Sequence, residues 1–331
     1  MPSTVLVLQR NKWVSHRRKS VKRTVVYAVG GNAIQPPGGT DNDASLILAK
    51  VMSDIVDLLE MGWSVVLTHG NGPQVGHLMA MDSDLTQPLD AWVAATQGMI
   101  GHDLSLHLQG ILERRKRPER TVVIMTHVEV HPDDPGFARP VKPVGPVLDA
   151  NTVMTADWDI AETVHGPRRV VASPSPIHII EVDVIRHLVE LRAVVICGGG
   201  GGIPVVRATD HLVGAPAVID KDLLSCRLAL DLGADALIIS TDADAIYSDF
   251  GTSSARAHRR LSTDDVTRLS KDGQFPAGSM LPKVNALKSF AEQRTGARAL
   301  LCRPGDVLEA LRGDAGTTIE SAQPVDGESH S

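Results

Sequence analysis

Residues 194–207, which read VVICGGGGGIPVVR, decide how the rest of this chain is arranged. The apolar run 194–197 stops abruptly at five consecutive glycines, residues 198–202. Such a run is typical of a buried parallel strand whose tip is bare backbone. Because glycine adopts positive φ and lets N–H groups approach a ligand closely, this glycine run predicts a binding turn rather than a simple loop.

Two other segments repeat the pattern of an apolar strand that ends in glycine. They are residues 28–34 (AVGGNAI) and residues 67–76 (LTHGNGPQVG). Glycine-rich turns that follow parallel strands present N–H donors to anions at the carboxyl edge of a sheet. Three such turns therefore predict one phosphate-holding crevice.

Strands alternate with helices along the chain, which predicts an α/β fold: an open αβα sandwich around a mainly parallel twisted sheet, with a small protruding subdomain. Residues 121–127 are expected to form one strand. The proline-rich stretch 129–146 predicts an excursion from the sheet, and residues 147–169 are expected to be irregular. The other predicted strands are 24–29, 64–68, 194–197, 236–240 and 299–302. The main predicted helices are 44–61, 74–80, one that begins at Asp90, 180–191, 220–232, 264–270, 282–293 and 307–311.

Composition narrows the functional class. The chain has 331 residues and a formal charge of −6. Residues 1–23 contain seven basic and no acidic residues, so the remainder carries −13. This acidic body and an aromatic content of 3% argue against nucleic-acid binding. No apolar run is long enough for a membrane span.

The chain has three widely spaced cysteines, Cys197, Cys226 and Cys302. Their number and spacing predict neither a disulfide framework nor a metal-binding knuckle. They are expected to be buried thiols in a reducing, cytoplasmic setting.

Two common glycine-loop chemistries fit poorly. A P-loop requires Lys followed by Ser or Thr after its glycines, and none of the three turns has this pair. Gly70, Gly72 and Gly76 approach the dinucleotide-binding pattern, which also requires an acid about 20 residues later, at the end of a strand. Asp90 has that spacing but begins a helix, so a dehydrogenase is disfavoured.

Phosphoryl transfer fits better, because it depends on positioning and charge neutralisation. Lys142, Lys221 and Lys283 lie among prolines, glycines and apolar residues, whereas most lysines are ordinary solvated surface residues. Asp222 has three candidate roles: holding two lysines in register, coordinating Mg²⁺, or supplying charge at a helix end. Asp242 and Asp244 are candidates for nucleotide or metal contacts, or for turn formation. No nucleophile stands out beside the lysines, so direct in-line transfer is expected.

Eight motifs together resemble those of the carbamate kinases, a branch of the amino-acid kinase superfamily. The likeness spans residues 24–319, in that family's order, and is carried by AVGGNAI, LTHGNGPQVG, ATQGMIGH, KPVGP, RRVVASPSP, ICGGGGGIPVV, AVIDKDLLS and AGSMLPKV. The superfamily usually has a lysine where this chain has Ala28. Carbamate kinases instead supply that charge from the lysine of the KP-[IV]-GP motif, which is Lys142 here.

The resemblance implies a role for each matching residue. Lys142 and Lys221 would clamp the phosphoryl group, Asp222 would organise the lysines, and Lys283 would neutralise nucleotide phosphates. The residues implied for the substrate are Gly30, Gly31, Asn32, Gly70, Asn71, Gly72, Gly199 and Gly200. Those implied for the nucleotide are Asp242, Ala243, Tyr247, Gly278, Met280, Pro282 and Lys283.

The resemblance also implies the reaction: carbamoyl phosphate and ADP give carbamate and ATP, with Mg²⁺ carried by the nucleotide rather than held by a protein-only metal site. It implies a cytoplasmic homodimer without nucleic-acid or membrane partners. A related acid kinase with another acceptor and a non-catalytic binding or regulatory protein are the alternatives.

The chain is expected to divide into four parts. They are a basic, disordered extension at 1–23, an N-terminal carbamate- and phosphoryl-binding lobe at 24–205 with its subdomain at about 128–169, a C-terminal nucleotide-binding lobe at 206–320 and a disordered tail at 321–331.

Overall fold

The computed structural model describes residues 23–30, 41–82, 86–163, 166–276 and 278–322. Its helices within these ranges are α1 (Asp41–Glu60), α2 (Gly72–Met81), α3 (Leu89–Arg114), α4 (Pro135–Ala138), α5 (Ala150–Thr155), α6 (Val182–Glu190), α7 (Lys221–Asp231), α8 (Thr263–Lys271), α9 (Met280–Gln293) and α10 (Val307–Arg312). Its strands are β1 (Thr24–Val29), β2 (Ser64–His69), β3 (Arg120–Val123), β4 (His127–Glu129), β5 (Lys142–Val144), β6 (Ile160–Thr163), β7 (Gly166–Val171), β8 (His178–Ile179), β9 (Ala193–Ile196), β10 (Ile203–Arg207), β11 (Leu212–Gly214), β12 (Ala236–Ser240), β13 (Ile246–Ser248), β14 (Arg256–His258), β15 (Arg260–Ser262), β16 (Arg298–Cys302) and β17 (Thr317–Glu320).

Eight of these strands form the central sheet, in the order β15-β17-β16-β12-β1-β2-β9-β3. The pairs from β16 through β3 are all parallel, and β17 pairs antiparallel with β16. Helices α1, α3 and α10 contribute to the apolar core on one face, and α6, α7 and α9 contribute to the core on the other. The predicted αβα sandwich around a mainly parallel sheet is therefore confirmed.

The central strand β1 shows why the sheet needs helices on both faces. Val25, Tyr27 and Val29 belong to the core beneath α1 and α3, while Val26 and Ala28 belong to the opposite core. All five side chains are fully buried. A near-continuous apolar strand of this kind is stable only when both faces of the sheet are covered.

The prediction of one strand over residues 121–127 is wrong. The segment splits into β3, at the edge of the central sheet, and β4, which pairs with β10 in a separate four-stranded sheet. The break has a physical cause, because the Thr126 N–H is bound by the side chain of Gln97 rather than by a neighbouring strand. Local sequence pattern carries no signal of that contact.

The expectation that residues 147–169 are irregular is also wrong. They contain α5, whose first turn is capped by the Asp149 side chain, as well as β6 and the beginning of β7. The strands β5, β7 and β6 form a small antiparallel sheet. These strands have only three to six residues, too few for a clear alternation of apolar and polar positions, which explains the error. The lobe and subdomain boundaries stay predictions.

Three further findings concern the composition. The three cysteines are free and buried, as expected. No helix in the described ranges is long and apolar enough to cross a membrane. Residues 1–22 and 323–331, which hold most of the two predicted disordered ends, lie outside the described residues.

Candidate active site

The three glycine-tipped strands β1, β2 and β9 are neighbours in the sheet, so their carboxyl ends meet at one edge. The Gly30 N–H donates to Ser240 O at 3.0 Å, and the Gly70 N–H donates to Val29 O at 3.2 Å. The second bond holds the turn after β2 against the end of β1, and the Cys197 N–H, which donates to Leu67 O at 3.0 Å, holds the end of β9 against β2. The three turns therefore lie along one edge of the sheet. Gly31 and Asn32 lie outside the described residues.

The turn after β9 accepts only glycine at several positions. Four of its five glycines have positive φ. A methyl group at Gly199 would lie 2.4 Å from the His69 imidazole, and one at Gly200 would lie 2.1 Å from Asn71 Nδ2. Within the described part of the chain, the N–H groups of Gly199 and Gly200 have no acceptor. They are therefore available to an anionic ligand.

The three predicted lysines meet at the beginning of α7. Lys221 Nζ lies 2.5 Å from Asp222 Oδ1, and Lys283 Nζ lies 3.0 Å from Asp222 Oδ2. Lys142 Nζ lies 2.5 Å from Asp220 Oδ2. Of the roles considered for Asp222, its contacts match the one that holds two lysines in register, because both carboxylate oxygens are engaged by ammonium groups.

Asp220 also binds backbone N–H groups and so attaches the lysine cluster to α7. Its Oδ1 accepts the N–H groups of Asp222 at 2.8 Å and of Leu223 at 3.3 Å, which caps α7. The partly positive N-terminus of α7 therefore lies beside the lysines and adds to the field that an anionic ligand experiences.

Burial and charge together set the pKa values of the cluster. Burial lowers the pKa of Lys221 despite its pairing with Asp222. At Lys283 burial acts in the same direction, but the charge and hydrogen bond of Asp222, together with the charges of Asp220 and Asp242, outweigh it and the pKa is raised. Burial would raise the pKa of Asp222, yet the two ammonium groups outweigh it and hold that pKa far below its usual range. Asp222 is therefore an anion at neutral pH.

Gln97 on α3 shapes the glycine turn, although no role was predicted for this residue. Its Nε2 donates to Gly199 O at 3.0 Å and Thr126 O at 3.2 Å, and its Oε1 accepts the Thr126 N–H at 2.9 Å. The Thr126 hydroxyl in turn accepts the Gly198 N–H at 2.9 Å. The sequence signal that could have identified Gln97 is a glutamine on the otherwise apolar face of a helix, because a buried polar side chain needs hydrogen-bond partners.

His69 is a second residue of the crevice that carried no prediction. It is 1% exposed, and its Nδ1 lies 3.0 Å from Gly70 O. Burial, assisted by the charge of Lys221, lowers the pKa of His69 to about 4. The imidazole is neutral at physiological pH and leaves the positive charge of the crevice to the lysines.

The segment that carries Lys142 reaches the crevice through a contact between glycines. The Gly145 N–H donates to Gly72 O at 3.2 Å, and a methyl group at Gly76 would lie 1.9 Å from Gly145 N. This close backbone approach brings β5 onto the first turn of α2. This contact therefore brings Lys142 and the glycine turns together from segments that lie far apart in the chain.

The residues predicted for the nucleotide flank the same edge of the sheet. Asp242 follows β12, accepts the Thr241 hydroxyl at 3.0 Å and contributes to the raised pKa of Lys283. The Tyr247 hydroxyl donates to the Asp244 carboxylate at 3.1 Å. Ala243 and Met280 are partly buried against the core, and Gly278 and Pro282 precede Lys283 around the beginning of α9.

A resident metal centre does not match the described residues. They contain no group of three or more His, Cys, Asp or Glu side chains that could hold a metal ion. Both oxygens of the Asp222 carboxylate are already engaged by lysines.

Known proteins resemble this chain over nearly its full length. The model of the amino acid kinase family matches residues 23–300. The carbamate kinase of Halobacterium salinarum is 40% identical over 307 residues, which cover 90% of this chain and 98% of that protein. The carbamate kinase-like protein YqeA of Escherichia coli is 40% identical over 90% of this chain and 99% of that protein.

A solved structure agrees in three dimensions. The carbamate kinase from Giardia lamblia bound to AMP-PNP is 34% identical, with a TM-score of 0.80 over 91% of this chain and 99% of that chain.

Proposed function

This chain belongs to the amino acid kinase family and, within it, to the carbamate kinases, and on that premise we propose that its lysine cluster clamps a phosphoryl group in transit between carbamoyl phosphate and ADP. The reaction is reversible: carbamoyl phosphate and ADP give carbamate and ATP. Lys142 and Lys221 hold the transferring group, and Lys283 neutralises the nucleotide phosphates.

The observation that carries this proposal is the convergence of three lysines opposite the free N–H groups of Gly199 and Gly200. A methyl group at Gly201 would lie 2.1 Å from Ile219 O, so the glycine turn packs directly against the segment that leads into α7. Donors on both sides of one crevice suit a phosphoryl group, whose charge is spread over three oxygens in the transition state.

Transfer is direct, without a phosphoenzyme. Among the described residues, His69 lies at the crevice; it is 1% exposed and is enclosed by Gly199, which leaves no room for a phosphoryl group on its ring. Mass spectrometry of the protein after mixing with carbamoyl phosphate is the measurement. A phosphorylated protein would contradict direct transfer.

Mg²⁺ enters with the nucleotide and is held by its phosphates, where it neutralises charge. Gly30, Gly70, Asn71 and Gly72 contact the carbamate end. Asp242, Ala243, Tyr247 and the segment from Gly278 to Lys283 contact ADP. The relative that was solved with AMP-PNP supports a nucleotide site of this kind. The reaction takes place in the cytoplasm, in keeping with three free thiols.

Lys142→Ala is expected to lower the rate of ATP formation from ADP, Mg²⁺ and carbamoyl phosphate about 10- to 100-fold, because it removes one positive charge from the transition state. The loss should be smaller than for a fully buried lysine, since 28% of the Lys142 side chain is exposed and water screens its charge.

The matched control is Lys50→Ala, which removes an exposed lysine of α1. It should leave the rate within about twofold, as most surface substitutions do. If the unmodified chain forms ATP and Lys142→Ala matches it, the reaction stands and the clamp must be assigned to other residues. If neither protein forms ATP, the proposed reaction is wrong.

A different acid acceptor is the second candidate. It is favoured by two relatives, each about 40% identical, that are described only as carbamate kinase-like. Assays with ATP and small carboxylate or phosphonate acceptors separate the two reactions. A non-catalytic binding role would leave all of these assays without turnover.

The chain is expected to form a homodimer. Apolar side chains on the neighbouring helices α1 and α3 are exposed, namely Leu46, Met99 and Leu106. Burying them against a second copy removes apolar surface from water, which favours association. Light scattering should give twice the chain mass of 35.3 kDa, and a monomer mass would contradict the proposal.

A further inference from the structure

Asn71 occupies the N-cap position of α2 but does not cap it. Asparagine is among the best N-cap residues because its side-chain oxygen accepts a free N–H of the first turn. Here the backbone of Asn71 begins the helix, since its carbonyl accepts the Val75 N–H at 2.8 Å. Its side chain makes no capping hydrogen bond. Some other contact therefore holds the amide in a different orientation.

That contact comes from Thr96 on α3. Asn71 Nδ2 lies 2.9 Å from Thr96 Oγ1, which in turn lies 2.7 Å from Val93 O. A carbonyl oxygen only accepts, so the single hydroxyl proton of Thr96 goes to Val93. The Thr96 oxygen can then only accept from Asn71. This requirement turns the Asn71 amide nitrogen toward Thr96, so that Asn71 Oδ1 points away from Thr96.

Asn71 Oδ1 is consequently an acceptor in a crevice that is otherwise rich in donors. Among the described residues it has no hydrogen-bond donor. Gly200 lies against the Asn71 amide on one side, where a methyl group would be 2.6 Å from Oδ1. The Lys142 segment approaches the next residue, since the Gly145 N–H donates to Gly72 O at 3.2 Å. The Asn71 oxygen therefore lies beside the glycine turn, one residue from the backbone contact that brings in the Lys142 segment.

We propose that Thr96 is a positioning residue that turns Asn71 Oδ1 toward the amino group of the acyl phosphate, so that the site selects a carbamoyl group over an acyl group of the same shape. The inference rests on the proposed function. Carbamoyl phosphate and acetyl phosphate differ only in NH₂ against CH₃ beside the carbonyl. An amino group satisfies the Asn71 oxygen, whereas a methyl group leaves it desolvated and unpaired.

The experiment compares these two compounds as phosphoryl donors to ADP and Mg²⁺ in the unmodified protein and in Thr96→Val. Valine keeps the shape of threonine and removes the oxygen, so the Asn71 amide is free to rotate and cap α2. The ratio of kcat/KM for carbamoyl phosphate to that for acetyl phosphate should fall about 10- to 100-fold, the scale of one lost buried hydrogen bond with its unpaired partner. If acetyl phosphate is not turned over, its inhibition constant Ki against carbamoyl phosphate replaces its kcat/KM in this comparison.

Thr96→Ser is the matched control, because it keeps the hydroxyl group and should therefore keep the ratio of the unmodified protein. Asn71→Ala should lower the ratio by itself, and adding Thr96→Val to it should change the ratio no further, since Thr96 acts through Asn71. If Thr96→Val folds poorly, Thr96→Ala and Asn71→Ala supply the comparison, and an unchanged ratio in both folded variants would overturn the proposal.

Two failures are distinguishable. If the unmodified protein does not use carbamoyl phosphate, the proposed function is wrong. If it does, and folded Thr96→Val keeps the ratio, or the two substitutions act additively, the proposed role of Thr96 is overturned while the function stands.

Discussion

Lys221→Met is expected to lower kcat for ATP formation about 10²- to 10³-fold in a protein that still folds. The activity loss follows from removing a positive charge at the transferring group, where a single well-placed donor contributes about 3–4 kcal/mol. Lys221 is buried, with 9% of its side chain exposed, so its charge is weakly screened. Methionine has a similar length and no charge to desolvate, and Asp222 keeps Lys283 as a partner at 3.0 Å, so the loss of stability should be smaller than the ~3–5 kcal/mol of a buried pair that is broken outright.

The measurements are steady-state kinetics and thermal unfolding on the same preparations. Lys288→Met is the matched control, because Lys288 pairs with Glu292 on its own helix at 3.2 Å. A partly exposed pair within one helix contributes less than about 1 kcal/mol, and kcat should not change. If Lys221→Met keeps a third or more of the unmodified kcat, Lys221 does not act on the phosphoryl group.

Asp222→Asn should damage both activity and stability. The carboxylate is the common partner of Lys221 and Lys283, and only 3% of its side chain is exposed. Removing its charge leaves two buried ammonium groups facing each other, a change that costs about 3–5 kcal/mol. Activity should fall at least about 10²-fold, because both lysines lose the partner that holds them in register.

The pH dependence of unfolding tests the cause of this destabilisation. Without the carboxylate, the pKa of Lys221 should fall further, since burial already lowers it. The folded variant then binds fewer protons than the unfolded chain, so its stability rises with pH. The deficit relative to the unmodified protein should therefore shrink between pH 7 and pH 9.

Asp231→Asn provides the comparison on the same helix. Asp231 pairs with Arg227 at 2.9 Å, with 42% of the Arg227 side chain exposed. This substitution should change the free energy of unfolding by less than about 1 kcal/mol at either pH. A deficit in Asp222→Asn that does not vary with pH would show that the loss arises from shape rather than from charge.

The strongest sequence predictions concerned buried strands. Residues 24–29, 64–68 and 236–240 were predicted as strands, and β1, β2 and β12 match them to within one residue. The prediction succeeds because a strand buried on both faces must be apolar at every position, which is a local and visible constraint. The glycine turns were equally visible, because only glycine tolerates positive φ at such close approach.

The two wrong predictions share a cause. Residues 121–127 and 147–169 lie where the chain leaves the central sheet, and their structure depends on partners distant in sequence. Gln97 ends one strand by taking the Thr126 N–H, and β7 organises the short strands on either side of it. Neither partner leaves a periodic trace in the segment itself.

The sequence by itself determined the fold class, the three glycine turns and the identity of three unusual lysines, because each follows from local steric or burial requirements. Only the tertiary structure decided which groups meet: Lys283 reaches Asp222 across 61 residues, and Gln97 reaches Gly199 across 102. Thr96 and Asn71 likewise become partners only when α3 packs against α2. A hydrogen bond depends on distance and direction between groups, and sheet order, not spacing along the chain, sets both.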